Sequence, residues 1–344
     1  MRIALHYFSW AFGFTALGLA LALWLGWAYS GTLSGTFAFF VIAAVLAVLE
    51  ISLSFDNAIV NANKLKQMTH EWQHRFLTWG IVIAVFGMRI LFPLLVVVIA
   101  AGIGPIEAVK LAATKPAEYA RIIGSAHISI AAFGGAFLMM VALNYFIDEG
   151  KEVDWIAALE RRLRACASIR GLEIGLVLTV VMMFTWVLPP GTEGEFLFAA
   201  CAGLLTFLGV EVLGQVLDRA SLASEAAKGG IGAFLYLEVL DASFSFDGVI
   251  GAFALTQNLF LIAIGLGIGA MYVRSMTIML VEKNTLAEFR YLEHGAFWSI
   301  LILSGIMFAQ TLWHIPEVAT GLIGAAFIGL SLLSSLRFNR SCAR

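Results

Sequence analysis

Charge is scarce in this chain. Asp, Glu, Lys and Arg together make 13% of its 344 residues, against 61% apolar. A soluble domain averages about 25% charged and about 45–50% apolar. With a mean hydropathy of +0.92, a soluble core of this size is excluded, and lipid is expected as the solvent over most of the surface. Net charge is only −2, so no basic field offers itself to nucleic acid. Cys166, Cys201 and Cys342 form no C-x-x-C, which removes a disulfide framework and a zinc knuckle. Prolines number 6, as long helices require. Gly265, Gly267 and Gly269 alternate without a preceding strand, so a phosphate loop is not expected. Acids are present without a matching nucleophile and base, so the chain is read as no enzyme.

What is present is a series of apolar runs. About 20 apolar residues cross the hydrocarbon. Candidate spans are 8–28, 37–60, 77–102, 122–146, 172–189, 196–217, 231–256, 258–281, 296–314 and 319–336. The expected fold is therefore all-α, a polytopic transmembrane bundle of about ten spans forming one integral membrane domain over 1–344. The first run is expected to be a retained helix rather than a signal peptide, with Trp24, Trp27 and Tyr29 at the interface. Thr256-Gln257-Asn258 makes a tight hairpin between spans seven and eight. With both termini inside, sixteen Lys and Arg residues fall on the inner side and three, Lys110, Lys115 and Arg121, on the outer. The large inner loop, 148–171, mixes both charges and reads as a solvated surface helix. Phe133-Gly134-Gly135-Ala136 reads as close helix packing and the methionines as filler. Asn144, Glu211 and Gln310 are polar groups placed to line a pathway or to bond to neighbours.

Two stretches resemble each other. Leu53-Ser-Phe-Asp-Asn-Ala-Ile59 matches Phe244-Ser-Phe-Asp-Gly-Val-Ile250, and an acid precedes each aspartate by six residues, Glu50 before Asp56 and Asp241 before Asp247. In the following span Gly80 and Arg89 are nine apart, as are Gly265 and Arg274. The copies are offset by five spans, an odd number, so they have opposite topology. Inverted repeats, approximately 1–190 and 196–344, are the plan of many secondary transporters, whose sites lie near the bilayer midplane between the repeats.

A charge at the bilayer centre costs about 2.5–3.5 kcal/mol. Glu50, Asp56, Glu238, Asp241, Asp247, Arg89 and Arg274 must therefore face one another, water or an ion. A purely structural reading pairs Arg89 with Glu50 and Arg274 with Asp241, leaving Asp56 and Asp247 without an arginine. On an ideal helix Glu50 and Asp56 point about 120° apart. Either each helix unwinds near Ser-Phe-Asp, the favoured expectation, with Gly248 easing the second bend, or the aspartates reach a second wall of the cavity. Ser54, Asn57 and Ser245 add oxygen ligands. Such a set suits Mg²⁺, Ca²⁺ or Mn²⁺ above Zn²⁺ or Cu⁺. Facing acids titrate together, which leaves room for proton coupling, with His127 and His294 as candidate relays. Self-association is left open.

At these residues the chain resembles the TerC family of integral membrane proteins. The first motif, E-x-x-L-S-x-D-N-A, is found as Glu50-Ile-Ser-Leu-Ser-Phe-Asp-Asn-Ala58. The second, E-x-x-D-x-x-F-x-x-D-S, is found as Glu238-Val-Leu-Asp-Ala-Ser-Phe-Ser-Phe-Asp247, with Gly248 where the family has serine. The likeness covers roughly 40–150 and 230–310 and looks like a longer branch of the family, which is related to lysine-exporter-type transporters. It implies a bacterial inner-membrane exporter of Mn²⁺, in a family named for tellurium resistance. By matching position, Glu50, Asp56, Asn57, Glu238, Asp241 and Asp247 are the implied metal-pathway residues, with Ser54, Ser245, Arg89 and Arg274 in support. No permanently bound cofactor is expected; the metal is cargo. The alternative is a membrane scaffold that loads metal or assembles a resistance complex without net transport, docking through 148–171.

Overall fold

Each long apolar run closes its own backbone hydrogen bonds as a helix, the form that hydrocarbon tolerates. In the computed structural model, described here for residues 2–66, 68–80, 83–148, 150–221, 230–283, 288–313 and 315–342, the described residues are helical with no strand. Among the described residues seven helices are long and apolar enough to cross a bilayer. These are α1 (Arg2–Ser30), α2 (Leu33–Leu53), α8 (His127–Phe146), α11 (Glu193–Ser221), α13 (Leu259–Glu282), α14 (Leu292–Gln310) and α15 (Glu317–Cys342).

Three expected spans fall outside that set, each for its own reason. The third is composite: π-helical turns at Phe76–Gly80 and Ile83–Leu91 run into α5 (Phe92–Ala101), which ends on Gly102 at φ +63°. The fifth, α10 (Leu172–Val187), has 16 residues, about 24 Å against a hydrocarbon core of about 30 Å. The seventh, α12 (Ile231–Leu255), has the length but carries Glu238, Asp241 and Asp247. The shorter helices among the described residues are α3 (Phe55–Lys66), α4 (His70–Arg75), α6 (Pro105–Thr114), α7 (Pro116–Ser125) and α9 (Ala157–Ala165). The expected fourth span is thus divided at Ala126 between α7 and α8.

Local chemistry sets the ends that matter. Thr32 caps α2 by accepting the Gly35 N–H at 3.2 Å. Asn258 Oδ1 accepts from Phe260 and Leu261 N–H at 3.0 and 3.1 Å, which starts α13 directly after α12 and makes the expected hairpin. The main apolar core joins α3, α8, α10, α11, α12, α13 and α14. Gly135 of α8 faces the Phe308 ring of α14, and Gly203 of α11 lies against the Phe133 carbonyl, so the small residues there serve close packing. Large apolar side chains stand outward, among them Trp24 and Trp27 on α1, Phe37 on α2, Trp186 on α10 and Phe198 on α11. A surface of that kind suits lipid.

In the loop 148–171 α9 keeps most of its side chains at the surface, as expected of a solvated helix, but one charge turns inward. Glu160 of α9 is fully buried. Its carboxylate accepts from Lys151 Nζ at 2.7 Å, Trp298 Nε1 at 2.9 Å and the Trp155 and Ile156 N–H groups, and meets His294 Nδ1 at 2.8 Å. An acid with that many partners belongs inside. The loop is clamped onto α14, and His294, a candidate relay, is one half of the clamp.

Candidate metal centre

The site begins where the second apolar run breaks. At Ser54 the backbone leaves the helix (φ −103°, ψ 20°), with the Ser54 N–H still bonded to the Glu50 carbonyl at 3.0 Å. The chain restarts as α3 at Phe55. Unwinding is therefore present in the first motif. It is absent from the second, because α12 runs helically through 244–248 and the expected bend at Gly248 does not occur. The difference follows from length: the run 33–66 needs a bend for α3 to lie against α12 and α14, whereas α12 crosses in one piece.

Glu50, in the last turn of α2, is 3% exposed and forms an ion pair with Arg89, also 3% exposed. Arg89 additionally donates through Nε to the Leu266 carbonyl of α13 at 3.2 Å. The expected Glu50–Arg89 pair is thus made. It needs a bare backbone opposite, because a Cβ on Gly269 would lie 2.4 Å from the Glu50 Cβ. The expected Arg274–Asp241 pair is not formed among the described residues; Asp241 Oδ1 instead accepts from Asn57 Nδ2 at 2.6 Å. The break at Ser54 brings Asn57 across to α12, where its amide meets Asp241.

Asp56 and Asn57, adjacent at the start of α3, point to different neighbours. Asp56 Oδ2 accepts from Ser299 Oγ of α14 at 2.9 Å and Oδ1 from the Asn57 N–H at 2.8 Å. The positive end of α3 adds to the stability of that carboxylate. Asp56, Glu50, Ser54, Gly248, Ser299 and Thr320 share one small cavity of about 30 Å³. Gly248 gives its backbone to this space: a Cβ there would stand 3.1 Å from Glu50 Oε2.

On the other side of α3 runs its seam with α12. Asn57, Asn61, Glu238 and Asp241 are all buried there. Asn57 Oδ1, Asn61 Oδ1 and Glu238 Oε1 find no hydrogen-bond donor. Buried acceptors without donors are uncommon and call for water or a cation. Gly80 lets the π-helical segment approach Glu238, whose Oε1 would be 2.7 Å from a Cβ at that position. Among the described residues no three His, Cys, Asp or Glu side chains converge closely enough to hold an ion by themselves. The side chains of Ser245 and Asp247 lie outside the described residues. A wider cavity of about 410 Å³ is lined by Asn63, Lys64, Asn144, Asp148, Glu211 and Tyr236 and gathers two of the polar residues singled out from sequence.

Sequence reasoning missed Asn61, Ser299 and Thr320. Asn61 was legible in principle, four residues beyond Asn57 and therefore on the same helical face. Ser299 and Thr320 are single hydroxyls in apolar runs and carry no signal of their own.

No curated protein and no solved structure matches the chain. A family model does match, over residues 55–342, which takes in α3, both sides of the seam and the small cavity's far wall. The chain belongs to that family, described as "Protein of unknown function (DUF475)".

Proposed function

We propose that the chain is a secondary transporter that moves a divalent metal cation, Mn²⁺ by its resemblance to the TerC family, out across a bacterial inner membrane. The observation that carries this reading is the group of buried acceptors in the seam that lack donors. Asn57 Oδ1, Asn61 Oδ1 and Glu238 Oε1 are buried without donors beside Asp241. Oxygen ligands of this kind suit a hard cation. Of the set expected from sequence, Asn57, Glu238 and Asp241 line the seam, where Asn61 joins them, whereas Glu50 and Asp56 face the small cavity. Asn57, Asn61, Glu238 and Asp241 bind the cargo most directly. Arg89 holds Glu50 in place.

The inverted-repeat plan, with ten spans and both ends inside, is supported by how the motif helices exchange partners. Gly265 of α13 packs on Leu46 of α2, while Gly80, its counterpart in the first copy, packs against Glu238 of α12. In the alignment that sets Glu50 on Asp241, those two contacts differ by one residue in register. Each half thus lays its arginine-bearing helix on the acid-bearing helix of the other, the arrangement from which alternating access by rocking follows.

The test is Mn²⁺ flux in vesicles holding the full chain. Native protein moves Mn²⁺ down an imposed gradient, and Asp241→Asn and Asp247→Asn abolish the flux. Mn²⁺ binding without flux in the native protein would replace transport with the scaffold reading. Unchanged flux in both variants would remove the seam as the pathway.

A further inference from the structure

We propose that the small cavity between α3, α14 and α15 is a second ion site that takes one monovalent cation, Na⁺, beside the divalent seam. Its walls come from outside the two acid motifs as well as from within them. Asp56 contributes a carboxylate, Ser299 and Thr320 contribute hydroxyls from α14 and α15, and Ser54 contributes the hydroxyl at the helix break. Thr320 is 6% exposed and its Oγ1 has no partner. A buried threonine at the start of a helix ordinarily bonds to backbone; this one lines the cavity with both lone pairs unused. The Ser299 hydroxyl spends its proton on Asp56 Oδ2, so its oxygen presents lone pairs as well. Gly324 permits the arrangement, since a Cβ there would lie 2.7 Å from Ser299 Oγ.

Charge and size select the ion. Glu50 is neutralised by Arg89. Among the described lining residues Asp56 is then the only carboxylate without a cationic partner, and together they carry about one negative charge. A water molecule would satisfy Thr320 and leave that charge uncompensated at membrane depth. A divalent ion would leave a surplus positive charge in a low-dielectric enclosure. The volume of about 30 Å³ admits a single bare ion or one water. It leaves no room for Mg²⁺ with the waters it keeps. One small monovalent cation balances the charge, fills the space and gives the Thr320 oxygen a partner.

Asp56 and Asn57 are neighbours on one turn of α3, so occupancy of this cavity and of the seam is linked through a single short helix. That link makes Na⁺ the coupling ion for the divalent cargo, a step that rests on the transport reading; the binding site itself does not.

The experiment measures saturable binding of radioactive Na⁺ and, separately, of radioactive Mn²⁺ to the purified full chain. Native protein binds both. Thr320→Val, which keeps the shape and removes the oxygen, and Ser299→Ala each weaken Na⁺ binding at least about tenfold, while Mn²⁺ binding changes by less than about threefold. Thr320→Ser restores Na⁺ binding, which separates loss of a ligand from loss of fold. Absence of saturable Na⁺ binding in the native protein, or native-like Na⁺ binding by Thr320→Val, overturns the site. In vesicles an inward Na⁺ gradient accelerates native Mn²⁺ efflux and leaves Thr320→Val unaffected. Mn²⁺ flux indifferent to Na⁺, or driven by a proton gradient instead, overturns the coupling. Na⁺ binding that depends on Thr320 in a protein that moves no Mn²⁺ would leave the site standing and sink the transport reading.

Discussion

Gly269 is the position at which a single methyl group tests the whole arrangement. It lies on α13 opposite the last turn of α2, and the Cβ of Gly269→Ala would fall 2.4 Å from the Glu50 Cβ, 2.5 Å from its Cγ and 3.1 Å from the Ala47 carbonyl oxygen. Carbon atoms in contact settle at about 3.5–4.0 Å, so the new atom is too close by about 1 Å or more. The offending neighbour is a Cβ, fixed to its helix, and no rotamer change relieves it. The two helices must separate, and Glu50 moves with α2 away from Arg89 and from the cavity it lines. Overpacking of this size costs about 1–3 kcal/mol, against a gain of about 0.5–1 kcal/mol from replacing a helical glycine by alanine. The net is a destabilisation of up to about 2.5 kcal/mol. Gly209→Ala on α11 is the control, because a Cβ there meets nothing within 4 Å. Thermal unfolding in detergent should therefore rank Gly269→Ala below native and Gly209→Ala at or above it, and Mn²⁺ flux should fall only in Gly269→Ala. A Gly269→Ala protein that melts and transports like native would refute the claim that α13 holds Glu50 in register.

Arg89→Gln strands Glu50 as a buried charge and is expected to lower stability by about 3–5 kcal/mol; the double variant Glu50→Gln with Arg89→Gln should recover most of that loss in the same melting assay. Asn57→Ala takes away the amide that meets Asp241 at 2.6 Å and should cost about 1–3 kcal/mol, together with loss of Mn²⁺ binding by the purified chain. Burial by itself would raise the Glu160 carboxyl, but hydrogen bonds from His294, Lys151 and Trp298 outweigh it and hold it below the usual carboxylate range. A depressed folded value means the stabilisation is full above the unfolded value of about 4.3 and fades as pH falls below it. The melting difference between native protein and Glu160→Gln should accordingly shrink below about pH 4.3; a difference that grows on acidification would contradict the clamp.

The membrane class was legible in composition, because 61% apolar residues cannot be enclosed by a chain of this length in water. The pairing of Glu50 with Arg89 was legible too, since two opposite charges in adjacent apolar runs have few other places to go. Helix continuity was not. Ser-Phe-Asp occurs twice, yet the chain breaks at Ser54 and runs on through Ser245, because what decides between a bend and a straight helix is the neighbour each half must reach. The Glu160 clamp was not legible for the same reason. Its residues read as a charged surface segment until His294 and Trp298, more than 130 positions further on, close over it.

The amino-acid sequence by itself determined that this is an all-helical chain with apolar runs of membrane-crossing length, and that two acid motifs sit within them; both are local properties, set by side-chain chemistry and helical period. That Asn57 meets Asp241 while Asp56 turns to Ser299, and that Thr320 closes a cavity with an unused hydroxyl, was settled by tertiary packing alone. Those pairings depend on which helix faces cross, and the choice is made by glycines such as Gly80, Gly265 and Gly269, whose missing side chains let particular backbones approach and no others.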